Sequence, residues 1–332
     1  MLCGEEKKGD FVMIKKRFFG SLDFQVTEIS FGGGSISGEG GGYGFGHIGD
    51  EDAISLLHEA FERGINLFDT APAYGFGLSE KRMGKAFVGK RDNVFIVSKG
   101  GITWDDKKRI KIDNSPQVIQ KMLEQSLRDL QTDYIDLYMV HWPDKNVDIR
   151  KPMEYLSKAK NEGKIRVIGL CNSFVEDINK AFEIDRVDVL QSEFNLFNSS
   201  AKDTLFSIIR EKKMGFMSWG TLDKGILTGR VTSERKFDEV DARSWAPWWT
   251  NDDKTPKYRA MERINTLLKE KEHSGLELAL GYVLRFKELS TALCGVRNSD
   301  QLETAIKAFE NLPGKDVLDE AKSIADEELH KT

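Results

Sequence analysis

YIDLYMVHW, residues 134–142, is almost wholly apolar through Ile135, Leu137, Met139 and Val140 and then turns polar at His141. A short apolar run of that length reads as a buried strand. Before it, residues 115–131 carry Ser115 as an N-cap, Pro116 at the first helical position, and an apolar stripe through Val118, Ile119, Met122, Leu123, Leu127 and Leu130 that only Ser126 interrupts. After it, residues 150–163 hold a second helical pattern that ends on Gly163, a usual C-terminal stop. A strand set between two helices is the repeating unit of a parallel sheet.

Moving outward, the same alternation continues in both directions. Strands are predicted at Glu28–Gly33, Ile65–Asp69, Val94–Lys99, Tyr134–Trp142, Ile165–Asn172, Val187–Gln191, Gly215–Trp219 and Thr291–Gly295, each followed by a helical pattern. Eight unbroken strand and helix pairs predict an α/β fold of the (β/α)8 TIM-barrel type rather than an open sheet with a second domain. The barrel is expected to occupy residues 14–332 as one domain behind a flexible tail at 1–13. Residues 14–27 read as a hairpin turning at Gly20 and plugging the bottom of the barrel. Residues 220–255 read as a long loop after strand seven, on the functional face, because loops that long inside a compact domain are usually functional. From residue 313 onward a polar helix is expected to cap the outside.

The whole-chain numbers narrow the function classes. The 332 residues carry 49 lysines and arginines against 54 acidic residues, a net charge of −5 scattered along the chain, which argues against a nucleic-acid partner. Cys3, Cys171 and Cys294 show no paired spacing, so neither a disulfide framework nor a metal site is expected. No apolar run approaches the roughly 18 to 20 residues of a membrane span, and the opening MLCGEEKKGDFVM is too charged for a signal peptide. These features predict a cytoplasmic protein that binds no membrane.

In barrels of this kind chemistry sits at the carboxyl ends of the strands. Here strand two ends in Asp69 with Tyr74 in the following loop, strand three in Lys99, strand four in His141, strands five and six in Asn172 and Gln191, and strand seven in Trp219. Any one of these could anchor a loop or fill a core. Together, a cation, an anion, a phenol and an imidazole at one mouth are costly to bury unless they pair. The residue types also suit proton transfer to a carbonyl. An ammonium beside a tyrosine is expected to lower the phenol's pKa, an aspartate to hold that ammonium, and a histidine to hydrogen-bond a substrate carbonyl. No side chain supplies a hydride, so a bound nicotinamide must.

The stretches FDTAPAYG (68–75), VSKGG (97–101) and LYMVHWPD (137–144) resemble those of the aldo-keto reductases, in style nearest the bacterial branch that includes channel β-subunits, and the order and spacing agree along residues 14–312. The resemblance implies Tyr74 as general acid, with Lys99, Asp69 and His141 completing a tetrad, and NADPH lying across the mouth, NADH being the second choice. It implies Asn172 and Gln191 on the nicotinamide carboxamide and Trp219 stacked on its ring. GTLDKGILTGR (220–230) is similar to the segment that wraps the pyrophosphate, through Leu222, Gly225, Leu227, Gly229 and Arg230. GVRNSDQLETA (295–305), opening at Gly295, is similar to the adenosine-phosphate segment, with Arg297 on the 2′-phosphate and Gln301 on adenine. Cys171, Gly220, Thr221, Thr304 and Ala305 depart from the family's usual residues, the last two at adenine contacts.

Three other readings compete. GGGSISGEGGGYGFG (32–46) evokes a Rossmann loop, but Asp69 lies too far beyond the first glycines, and a mobile loop at the mouth accounts for them better. Lys99 at a strand end would also suit a Schiff-base aldolase. A non-catalytic NADPH-binding subunit is the third. The substrate is expected to be a small carbonyl compound met by Tyr43, Phe76, Trp104 and Trp142, with the run WAPWW (245–249) either touching it or packing the loop. The sequence leaves substrate identity, reaction direction and oligomeric state open.

Overall fold

A computed structural model describes residues 14–38 and 44–331. The expected tail at 1–13 and Tyr43 lie outside the described residues. Strands β1 (Lys16–Phe18) and β2 (Gln25–Thr27) form an antiparallel hairpin. The barrel follows as β3 (Ile29–Gly32), β4 (Leu67–Asp69) and β5 (Phe95–Gly100), then, after a two-stranded excursion of β6 (Ile102–Trp104) and β7 (Ile110–Ile112), as β8 (Ile135–Val140), β9 (Ile165–Cys171), β10 (Val189–Glu193), β11 (Gly215–Trp219) and β12 (Thr291–Cys294). These eight pair in parallel in chain order and close where β12 meets β3, Ala292 lying opposite Ile29. The (β/α)8 barrel is therefore present.

The eight expected strands are all found, with shifted ends. β8 stops at Val140, before His141. β9 stops at Cys171, because Asn172 turns into the left-handed region with φ of 55°. β10 begins two residues later than expected and runs to Glu193, so Gln191 lies inside it. The helix Pro116–Asp129 starts where expected, yet the Ser115 side chain makes no capping bond; its backbone N–H instead donates to Asp113. The β6–β7 hairpin is an element that the sequence pattern does not announce, since β7 is only three residues long and exposed throughout.

Strand alternation divides the core in two. Leu67, Phe95, Val97, Leu137, Met139, Val189 and Met217 point into the barrel, where Phe19 and Val26 of the hairpin join them from below. Phe68, Ile96, Tyr138, Val140, Leu170 and Phe216 point out against the helices. The hairpin thus closes the lower end as expected. Its turn needs glycine: Gly20 has φ of 64°, and a Cβ there would stand 2.4 Å from the Gly215 nitrogen.

At the upper end, the chain after β11 wraps toward the loop after β3. Phe45 and Asp241 form an isolated antiparallel bridge, and the Ala242 N–H donates to the Gly44 carbonyl at 2.9 Å. The glycine-rich stretch itself contains a 3-10 turn at Gly33–Ile36. The final helix, Lys315–Leu329, buries Val317, Leu318, Ala321 and Ala325, so it is amphipathic rather than merely polar. Among the described residues no helix is long and apolar enough to cross a membrane.

Candidate active site

Asp69, Lys99, Cys171, Gln191 and Trp219 continue the inward-facing rows of β4, β5, β9, β10 and β11. His141 does the same one residue past β8. Period-two alternation thus carries an apolar interior upward into a polar floor without any change of backbone course.

Lys99 is the hub. Its ammonium, fully buried, donates to Asp69 Oδ1 at 2.7 Å and the Thr70 carbonyl at 2.9 Å, and reaches the Tyr74 hydroxyl at 3.5 Å. Gln191 Nε2 donates to the same Asp69 oxygen at 2.8 Å. The Tyr74 and His141 rings meet edge to face with centroids 5.9 Å apart. The four residues of the expected tetrad are therefore one contiguous group.

Their electrostatics depart from expectation at one point. Burial drives the Tyr74 phenol up to about 12, and although Lys99 opposes this as anticipated, it does not win, because Asp69 pushes upward as well. Burial also acts against the Lys99 charge, but Asp69 and Tyr74 reverse that and hold the ammonium above its ordinary value. Burial and the Lys99 charge press His141 well below the usual imidazole range. The resting group is a neutral phenol, an ammonium and a neutral imidazole. A lysine so held is a poor amine nucleophile, which speaks against the aldolase reading.

Around this floor the other expected residues divide. Asn172 donates to the His141 carbonyl at 3.1 Å and accepts from Trp219 Nε1 at 2.9 Å, so the indole is fixed edge-on by the amide while remaining half-buried. The Gln191 carbonyl oxygen accepts from Cys171 Sγ at 3.4 Å. Leu222 precedes the 3-10 segment Asp223–Thr228; Leu227 is buried, and Gly225 and Gly229 have φ of 101° and 73°. Arg230 is exposed. Across the mouth, Gly295 leads into Arg297, whose Nη2 donates to the His47 carbonyl at 2.6 Å and whose backbone N–H donates to Gln301 Oε1 at 2.9 Å. Gln301 is thereby folded back on its own helix start.

The aromatic candidates are less uniform. Phe76, at φ of 53°, packs on Trp104 with centroids 4.9 Å apart. Trp142 is 40% exposed. In WAPWW, Trp249 is buried against Phe237 whereas Trp245 is exposed, so the run both packs the loop and faces outward. A cavity of about 590 Å³ is lined by Gly75, Phe76, Lys108, His47, Glu239 and Trp245 among others; none of the four tetrad residues lines it.

Charged residues that the sequence pattern does not single out tie the upper loops down. Lys224 donates to Glu193 Oε1 at 2.8 Å, the buried Asp223 faces Lys257 at 3.0 Å, and Arg243 pairs with Asp241 at 2.7 Å. The one available signal is the Asp-Lys pair inside GTLDKGILTGR, among glycines and leucines that carry the resemblance. Thr70 acts through its carbonyl, which no residue type could reveal.

Comparison with known proteins agrees with this geometry. The Aldo/keto reductase family profile matches residues 28–326. The aldo-keto reductase YhdN of Bacillus subtilis is 34% identical over 266 residues, covering 79% of this chain and 80% of its own length. The NADH-specific methylglyoxal reductase of Escherichia coli is 28% identical, covering 89% and 94%. Among solved structures, a glycerol dehydrogenase of Gluconobacter oxydans superposes with a TM-score of 0.80 at 28% identity, covering 95% and 94%. The family works with nicotinamide cofactors on small carbonyl compounds. The chain belongs to the aldo/keto reductase family and is an oxidoreductase that carries out nicotinamide-dependent carbonyl reduction.

Proposed function

We propose that this protein reduces a small aldehyde or ketone with NADPH, Tyr74 giving the proton to the carbonyl oxygen. The observation that carries the reading is the buried Lys99 ammonium held between Asp69 and the Tyr74 hydroxyl. A nicotinamide bound at the mouth supplies the hydride. Tyr74, still a phenol at neutral pH, holds the proton until the carbonyl oxygen gains charge. Lys99 then stabilises the phenolate that forms, and Asp69 keeps Lys99 charged and in place. His141, neutral, offers a ring N–H to the same oxygen without adding a second cation. Asn172, Gln191 and Trp219 are assigned to the nicotinamide, and the 222–230 segment to the pyrophosphate.

The residues present fit a dinucleotide. Arg297 Nε is buried without a hydrogen-bond partner among the described residues, a donor suited to an anionic oxygen. Arg297 is accordingly assigned to the 2′-phosphate, which favours NADPH, while the relative named as NADH-specific makes that preference the point to test. For the substrate, Phe76 and Trp245 line the cavity of about 590 Å³, where Lys108 and Glu239 place one charge of each sign; Trp104 packs on Phe76, and the exposed Trp142 is assigned with them. That mixture suits a short, hydroxylated carbonyl better than a long apolar one. The decisive experiment is Tyr74→Phe: carbonyl reduction should be lost while NADPH still binds, and retained turnover would remove Tyr74 from the mechanism.

A further inference from the structure

Behind the tetrad, on the outer face of β5, lies a second acid that the chemistry above does not use. Glu80, in the first turn of the helix Leu78–Ala86, is completely buried. Its Oε1 accepts from Ser98 Oγ at 2.7 Å, and its Oε2 has no partner among the described residues. Ser126, the residue that interrupts the apolar stripe of helix Pro116–Asp129, faces it, as does Tyr138 from β8; neither hydroxyl has a hydrogen-bond partner among the described residues. Room for the phenol exists because residue 100 is glycine: a Cβ there would stand 2.7 Å from the Tyr138 hydroxyl.

This pocket joins the tetrad by two routes that close a ring. On one side Glu80 holds Ser98, the neighbour of Lys99 in β5. On the other, Ser79, the neighbour of Glu80, receives the Thr70 hydroxyl at 2.8 Å, and the Thr70 carbonyl receives the Lys99 ammonium at 2.9 Å. The carboxyl is thus linked to both flanks of the lysine. We propose that Glu80 is a positioning residue for carbonyl reduction, holding Lys99 through Ser98 and Ser79 and setting, by gaining or losing its own proton, how readily Tyr74 gives up its proton. The inference rests on the assignment of Tyr74 as the proton donor.

The sign of the effect follows from the surroundings of the carboxyl. An ionised Glu80 would have only the Ser98, Ser126 and Tyr138 hydroxyls to offset the loss of water in an apolar setting, whereas the protonated acid needs less compensation and can use the same hydroxyls as acceptors. Burial accordingly raises its pKa to about 7, with Ser98 and Ser126 opposing, Asp129 adding to the rise, and Lys99 lowering it. The groups facing it are Lys99 on β5, Asp129 and Ser126 on helix Pro116–Asp129, and Tyr138 on β8, with Tyr155 of helix Arg150–Asn161 behind Tyr138. On its own helix Arg82 and Lys85 are occupied by Asp50. When Glu80 ionises, its negative charge offsets part of the Lys99 field that stabilises the nascent phenolate, so reduction slows as the pH rises.

The test uses the purified enzyme saturated with NADPH, with kcat and KM for an aldehyde followed from about pH 5 to pH 9, beside an infrared titration of the protonated carboxyl stretch. In wild type, kcat should fall by about threefold through neutrality with KM unchanged, and a buried carboxyl band should vanish over the same interval. Glu80→Gln should lack both the band and the inflection. A wild-type profile identical to that of Glu80→Gln, or a Glu80 ionised throughout, overturns the proposal. If Glu80→Gln does not fold, Ser98→Ala removes a bond that favours the anion, so band and inflection should move together to higher pH; an unmoved inflection overturns it. Turnover by Tyr74→Phe would instead defeat the underlying assignment while leaving the infrared result standing.

Discussion

The strand ends and the outermost part of the loop after β11, beyond its anchors at Asp223, Lys224, Asp241 and Arg243, hold their charges in opposite ways. At the strand ends Asp69, Lys99 and His141 are 2%, 0% and 8% exposed, and Asp69 and Lys99 bond to one another and to fixed neighbours. In the loop Arg230 and Glu239 lie in the open and Trp245 is 45% exposed. Paired groups on strands are rigid and can be matched to one reaction, whereas loop groups can change with little cost to the barrel. On the proposed function, the reaction is therefore set by the paired strand-end groups together with Tyr74 in the short loop after β4, and the choice of substrate by the outer loops.

The comparison breaks most visibly if strand-end groups prove dispensable. Tyr74→Phe should lower kcat by about two to four orders of magnitude with NADPH affinity little changed, as judged by steady-state rates and cofactor fluorescence titration. A loss divided evenly between binding and turnover would make the residue a structural part instead. Next in size, Lys99→Met strands the buried Asp69 carboxylate and should cost about 3–5 kcal/mol in urea unfolding. An equal loss from Trp245→Ala would erase the distinction between the regions. At the rim, Arg297→Ala should weaken NADPH by about tenfold or more while affecting NADH little, measured as the ratio of dissociation constants. Equal weakening of both would remove Arg297 from the 2′-phosphate.

A last effect sharpens the contrast in the pocket behind β5. Glu80 has its folded pKa raised from 4.5 to about 7 by burial, so the folded state binds the proton more tightly than the unfolded chain does. The stability this confers is complete below the unfolded value and is lost as the pH rises through about 7. Melting temperatures of wild type should therefore decline relative to Glu80→Gln across that window. A constant difference would mean that Glu80 does not titrate there.

Legibility in the sequence follows from where each residue sits. Asp69, Lys99, His141 and Trp219 are readable because each ends an apolar run, so strand period and position convey direction as well as identity. Strand limits are not readable to the residue: Asn172 leaves β9 through a positive φ, and β10 reaches Glu193 because pairing with Trp219 extends it. Tyr74 is placed by its motif, but its titration runs opposite to the expectation, since burial at a site cannot be weighed from residue types alone. Glu80 escapes notice because an acid in the first turn of a helix looks like an ordinary dipole partner facing water. The β6–β7 hairpin escapes for the complementary reason, the residues of β7 being exposed and its turn charged.

The hairpin under the barrel also governs traffic. Because Phe19 and Val26 close the lower end of a packed interior, the tetrad is open toward the upper mouth among the described residues, and on the proposed function the alcohol departs on the side from which the carbonyl arrived. Reactant and product then share one threshold, and inhibition of turnover by added alcohol is its expected kinetic sign.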